Sequence, residues 1–307
     1  MKRWLTVVAV LILAVAFLGS SVLAAEKLVL KKYPDLKIGF TTANFLQALP
    51  VSLTNAKVMV DFAYSNGFPW IELRDPTAKL TLAECKEIAA YAKARGVEVG
   101  YAAQIGLLDA AFWEIMSRAV PNAAVFEGPK TVRSLAFGNE FNLDPKKQTW
   151  NLNELYKLVK TANKAGNLAK GKGLQYVAEH AMEALKGDGV TGFGFTEFLA
   201  NTNSNVKWQM DIANFFAVSR VVPKPEDARA FLEKNVGRLG YSHLKSSSPE
   251  HKTTDVLQEN ELPIATVFDI LAKNKVNYLA IELTQKKSFD ECAGNLMKSI
   301  DFLKKNY

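Results

Sequence analysis

Residues 174–180 read Leu174-Gln175-Tyr176-Val177-Ala178-Glu179-His180, a short β-forming run that ends abruptly in two ionisable side chains. Upstream, from Leu152 to Leu168, apolar residues recur at i, i+3 and i+4, the spacing of an amphipathic helix. Downstream, Lys207-Trp208-Gln209-Met210 is a second β-type run and ends at Asp211. With Thr131–Ala136 as the β-type run before the helix, strand, helix and strand in this rhythm make the βα unit of a parallel sheet. Working outward in both directions, the rhythm predicts strands at Lys37–Thr41, Trp70–Leu73, Glu98–Ala102, Thr131–Ala136, Gln175–Ala178, Lys207–Met210, Arg238–His243 and Tyr278–Ile281. Helical spacing is also clear in Leu82 to Tyr91, Ala228 to Val236, Ile264 to Leu271 and Cys292 to Leu303. Asn66-Gly67, Arg95-Gly96 and Asn274-Lys275 supply C-terminal stops.

Eight βα pairs with no Pro/Gly/Ser linker between them predict an α/β fold, a single (β/α)₈ TIM barrel. The alternative is a doubly wound open sheet, but no Gly-rich phosphate loop follows the first strand. The chain has 307 residues. Its start carries Lys2 and Arg3, an apolar run from Val7 to Leu18 and the small-residue stretch Ser21-Val22-Leu23-Ala24-Ala25. That order is a secretory signal peptide with cleavage near Ala24 or Ala25. The apolar run is short for a bilayer span and lacks a basic stop-transfer flank, so an uncleaved anchor is the weaker reading. The expected organisation is therefore a signal peptide at 1–25 and a barrel domain at 26–307, periplasmic or secreted, with no stable membrane insertion.

The formal net charge is +7, and +5 without Lys2 and Arg3. The excess is scattered over helix faces, as in Lys157, Lys160 and Lys164, which is a solvated surface and not a nucleic-acid stripe. Cys85 and Cys292 are the two cysteines. Export permits a disulfide between them, but both fall in helical stretches far apart in sequence, and two separate buried thiols are expected. An oligomer is compatible with this composition.

Active sites of such barrels lie at the C-terminal ends of the strands. Strand five delivers Glu179, strand six Asp211, strand seven His243 and strand eight Glu282. Taken singly, Glu282 and Asp211 have dull readings as capping carboxylates and His243 as a satisfied core histidine. Together they bring three carboxylates and an imidazole to one level, and so many carboxylates repel unless a cation compensates them. One divalent ion, Mn²⁺, Mg²⁺, Co²⁺ or Zn²⁺, suits that shell. His180 faces the opposite way from Glu179 and reads as structural; His251 reads as exposed.

These residues resemble the xylose isomerase-like TIM barrel superfamily of sugar isomerases and epimerases. The resemblance spans residues 36–307 and is carried by Ile71-Glu72-Leu73, Ala178-Glu179-His180, Trp208-Gln209-Met210-Asp211, Ser242-His243-Leu244-Lys245 and Ala280-Ile281-Glu282-Leu283. It implies one divalent ion held by Glu179, Asp211, His243 and Glu282, with Glu179 and Glu282 also serving as the catalytic acid/base pair. The chain departs from the family pattern at Asn214, where many relatives carry a second His, and at Ser246, where an Asp is usual. Strand three likewise ends in Ala103-Gln104 instead of a His.

The chemistry implied is carbanion formation beside a carbonyl, with the ion stabilising the enediolate and two carboxylates moving the proton. Lys245, Arg74, Trp208 and Asn214 are the substrate-binding candidates, with Asp75 expected to pair with Arg74. Phe40, Tyr101, Trp208 and Phe215 are weaker candidates for an apolar wall against a sugar ring. The function expected is an exported, divalent-metal-dependent sugar isomerase or epimerase acting on a small-molecule sugar or glycoside. A lyase or hydrolase of 3-keto-glycosides on the same site and a non-catalytic sugar-binding barrel are the alternatives. The family's DNA-repair endonucleases rely on many His ligands, and this chain has three His.

Overall fold

The structure is a computed structural model that describes residues 25–137, 147–190, 192–217 and 221–307. The expected signal peptide, Ala25 apart, lies outside the described residues. Eight parallel strands close on themselves in chain order: β1 (Lys37–Thr41), β2 (Trp70–Arg74), β3 (Glu98–Gly106), β4 (Thr131–Leu135), β5 (Gln175–Glu179), β6 (Val206–Asp211), β7 (Leu239–Leu244) and β8 (Tyr278–Ile281). Pairing of β1 with β8 closes the ring, with Lys37 opposite Tyr278 and Phe40 opposite Ile281. The protein is a (β/α)₈ TIM barrel, and the open-sheet alternative is overturned by that pairing.

Around the barrel run α1 (Leu53–Ser65), α2 (Leu82–Ala94), α3 (Phe112–Ala124), α4 (Leu152–Lys170), α5 (Phe195–Asn201), α6 (Pro225–Asn235), α7 (Ile264–Lys273) and α8 (Phe289–Asn306). Local chemistry sets their ends. Thr81 with Glu84 and Asn151 with Glu154 form capping boxes at the starts of α2 and α4, each satisfying amide donors that the first turn leaves free. At the stops, Gly67, Gly96 and Lys275 take left-handed φ values of 75°, 67° and 58°, which costs a glycine little. No helix among the described residues is long and apolar enough to cross a membrane. Cys85 and Cys292 are both buried and unbonded to each other.

Alternation along the strands sorts the barrel interior into layers. At the N-terminal end, Lys37 Nζ lies 2.7 Å from Glu98 Oε1 and Tyr278 donates to Glu98 Oε2. Above them Trp70, Val177, Tyr241 and Ala280 pack as a small apolar cluster. Gly39 makes room for it, since a Cβ there would meet Trp70 O at 2.3 Å. One step further towards the C-terminal mouth, the inward positions become Glu72, Arg133, Gln209 and His243, and polar chemistry begins on top of this plug.

Candidate active site

The parity that points Val177, Tyr241 and Ala280 inward also points Glu179, His243 and Glu282 inward two residues later, at the C-terminal mouth. Asp211 and His243 are register partners across β6 and β7. One ligand atom each from Glu179, Asp211 and His243 lie within 4.8 Å of one another. Glu282 stands beside this trio, its Oε2 2.9 Å from His243 Nδ1. Asp211 divides its oxygens: Oδ1 accepts from the Ala213 amide at 3.0 Å and caps the 3₁₀ turn Ile212–Phe215, whereas buried Oδ2 has no hydrogen bond among the described residues.

Glu72, which is fully buried, organises the imidazole from below. Its Oε1 accepts from Thr41 Oγ1 at 2.6 Å and from Arg74 Nη2 at 2.8 Å; its Oε2 accepts from Tyr241 Oη at 2.5 Å and lies 2.8 Å from His243 Nε2. A carboxylate at Nε2 favours a proton there, so Nδ1, which faces Glu179 and Glu282, is the nitrogen open to a cation. His243 Nδ1 makes no hydrogen bond of good geometry among the described residues. Burial works to raise the Glu72 pKa, but Arg74, His243 and Arg133 outweigh it and hold the carboxyl well below its ordinary range.

Three cations are built into the same space. Arg74 clamps Glu72 and reaches Glu282 Oε2 at 3.2 Å. Arg133 pairs with Glu179, donates to Ala103 O at 2.8 Å and holds Gln209 Oε1 at 3.1 Å. Lys245 Nζ lies 3.2 Å from Glu282 Oε1 and 3.5 Å from Asp211 Oδ2. Burial pulls the His243 pKa down, but Glu72 and Glu282 raise it above normal. For Glu282, burial is outweighed by Lys245, His243 and Arg74, which keep it ionised. Asp211 is pushed up, first by burial, with Glu282 adding and Lys245 and His243 opposing.

The other candidates fall into different jobs. Arg74 is buried and engaged by carboxylates, so it braces the site and offers little to a substrate. Asp75 does not pair with it; Asp75 accepts from the Lys79 and Leu80 amides and from Tyr101 Oη. Asn214 donates to His180 O at 3.0 Å and to Glu179 Oε1 at 3.4 Å, tying down the end of β5 from a buried position. Trp208 lies three residues before Asp211 and hence on the opposite face; it packs against Phe231 and donates to Asn235 O. Phe40, Tyr101 and Phe215 are likewise fully or almost fully buried and not at a substrate-facing wall. His180 points outward between Phe195 and Phe215, and burial lowers its pKa to about 4. His251 is on the surface, paired with Glu261. Glu72, Arg133 and Tyr241 are site residues to which the sequence reading gave no role, as is Asn44, which donates to Ile281 O at 3.1 Å and accepts from the Leu283 amide on either side of Glu282. Strand parity points the first three to the interior, and polar groups inside a barrel strand are the signal that identifies them.

The trio suits a divalent ion. Asp211 Oδ2 and His243 Nδ1 are buried polar atoms lacking hydrogen bonds among the described residues, and a mixed oxygen and imidazole donor set accepts hard or borderline cations.

No family model and no curated protein matches the chain in sequence. Its fold does match solved structures. D-psicose 3-epimerase from Clostridium cellulolyticum H10 superposes with a TM-score of 0.63 at 13% identity, over 88% of this chain and 99% of that one. A xylose isomerase-like TIM barrel protein from Mycobacterium smegmatis, in complex with magnesium, gives 0.60 at 15% identity over 88% and 97%. A xylose isomerase domain protein from Planctomyces limnophilus gives 0.62 at 15% identity over 91% and 96%. Over most of its length the chain thus has the fold of the xylose isomerase-like TIM barrels.

Proposed function

We propose that this protein is an exported, divalent-metal-dependent sugar isomerase or epimerase, with the barrel of residues 26–307 as its mature form. The observation that carries the reading is the convergence of Glu179, Asp211 and His243 within 4.8 Å at the barrel mouth, with Glu282 against the imidazole. Support comes from the fold neighbours, which include sugar epimerases and a magnesium complex. Mn²⁺, Mg²⁺, Co²⁺ and Zn²⁺ all suit the donors. The leader pattern before Glu26 supports export and a small sugar or glycoside met outside the cytoplasm.

Glu179, Asp211 and His243 would hold the ion, with Glu282 completing the shell. Bound there, a divalent ion would polarise a carbonyl and its neighbouring hydroxyl and lower the cost of removing the proton between them. The protein's own groups supply the rest. Glu282 is held ionised by Lys245, His243 and Arg74 and is the more open of the two glutamates, at 17% against 4%, so it serves as a proton acceptor. Glu179, three strands away round the ring at the end of β5, is the second acid/base group, oriented by Asn214 and Arg133. Two carboxylates from different sides let a proton leave one face and return to the other.

The test is metal binding together with solvent-deuterium incorporation into ketoses. The protein is expected to bind one divalent ion and to catalyse exchange next to the carbonyl, and Glu282→Gln to slow exchange about a hundredfold or more. Absence of both ion binding and exchange defeats the reading, and release of an aglycone from a 3-keto-glycoside redirects it to a lyase.

A further inference from the structure

We propose that Lys245 and the divalent ion exchange places: the ammonium neutralises the Asp211–Glu282 side of the centre until the ion binds, and is then released towards the mouth as a donor to a substrate oxygen. This rests on the metal reading above and adds to it a coupling between ion binding and the substrate site.

Four observations carry it. Lys245 Nζ is 3.5 Å from buried Asp211 Oδ2 and 3.2 Å from Glu282 Oε1. Glu282 is outside the group of three whose donors lie within 4.8 Å, its oxygens divided between Lys245 on one side and Arg74 and His243 on the other. A dication ligated by Asp211 would sit beside that ammonium, and like charges at such range repel strongly in a buried site. One of the two therefore yields.

Among the three built-in cations, Lys245 is the one able to leave. Arg74 and Arg133 have side chains 3% and 2% exposed and are held by several hydrogen bonds. Lys245 is 13% exposed, and its ammonium lies 3.2 Å from Glu282 and 3.5 Å from Asp211. Its flexible four-carbon stem lets a compact charge relocate without disturbing β7. Departure of the ammonium frees Asp211 Oδ2 and Glu282 Oε1 together, which turns a three-donor group into a four-donor one.

Mn²⁺ titration calorimetry on the full chain tests the exchange, using wild type, Lys245→Met and a control, Lys286→Met, whose ammonium is held by Asp255 instead. Lys245→Met is expected to bind Mn²⁺ about tenfold tighter or more, and the control to match wild type. In wild type, acylation of Lys245 followed by mass spectrometry should rise several-fold on saturation with Mn²⁺. Equal or weaker Mn²⁺ affinity in Lys245→Met, or Lys245 equally protected with Mn²⁺ bound, overturns the exchange and leaves the metal reading intact. Failure of both wild type and Lys245→Met to bind Mn²⁺ overturns the metal reading and the exchange with it.

Discussion

His243 Nε2 lies 2.8 Å from Glu72 Oε2, while its Nδ1 faces Glu282 Oε2 at 2.9 Å and Glu179 Oε1 at 3.7 Å. One ring thus links a buried carboxylate, itself fixed by Thr41, Arg74 and Tyr241, to the carboxylates of the mouth. Glu72→Gln keeps the shape but removes the charge that holds the Nε2 proton. Mn²⁺ affinity measured by calorimetry should fall about ten- to a hundredfold, the usual cost of losing such a partner. An affinity within twofold of wild type means that Glu72 does not orient His243.

Arg133 and Glu179 form a buried pair across β4 and β5, with side chains 2% and 4% exposed. Removing one member strands the other's charge, a loss of about 3–5 kcal/mol. Arg133→Met should therefore be destabilised by about that amount in urea unfolding, and Glu179→Gln added to it should recover part of the loss. A double variant less stable than Arg133→Met would show that Glu179 does not depend on Arg133 for its burial.

The barrel was legible in the sequence because each strand is a compact β-type run bounded by turn residues, and six of the eight predicted strands begin at the residue where the structure begins them. Glu179, Asp211, His243 and Glu282 were legible because each stands where a strand stops. Glu72 and Arg133 were not, since a polar residue in mid-strand has no end-of-strand signature and its partners come from other strands. Trp208 was misread as substrate-facing although two-residue alternation with Asp211 sends it to the helical layer. Strand β3 runs on to Gly106 through an irregularity between Ala102 and Gly106 that no periodicity announces.

His180, fully buried between the rings of Phe195 and Phe215, gives the fold a pH dependence of definite sign. Its pKa is about 4 in the folded chain, lowered by burial, against about 6.5 unfolded. Between those values the unfolded chain holds a proton that the folded one does not, so stability rises with pH and is lost as pH falls from about 6.5 to 4. Depressed Glu72 and Glu282 add their own loss only below about 4.5, through the ordinary carboxylate range. His243, with a raised pKa, contributes with the opposite sign: its share is present below about 6.5 and lost as pH climbs through the raised value. His180→Phe should flatten the acid-side slope, which integrates to about 3 kcal/mol. Urea unfolding at pH 5 and 6.5 checks this, and an unchanged slope in the variant removes His180 as its source.

Asn44 and Asn214 occupy equivalent places in two related turns, Thr41-Thr42-Ala43-Asn44-Phe45 after β1 and Asp211-Ile212-Ala213-Asn214-Phe215 after β6. In each, the side chain of the first residue caps the amide two residues on, at Ala43 and Ala213, and the Asn reaches back to the preceding strand. Asn44 donates to Ile281 O at 3.1 Å and accepts from the Leu283 amide at 2.8 Å, bracketing Glu282; Asn214 donates to His180 O, just past Glu179. The two proposed acid/base carboxylates are thus pinned by the same device at separate points of the ring, which gives Asn214 a structural reason of its own. Asn44→Ala and Asn214→Ala should each cost about 1–3 kcal/mol, the penalty for leaving buried partners unsatisfied. Hydrogen exchange should localise the first loss to the Leu283 amide, and full protection of that amide in Asn44→Ala would show that the bracket around Glu282 does not depend on Asn44.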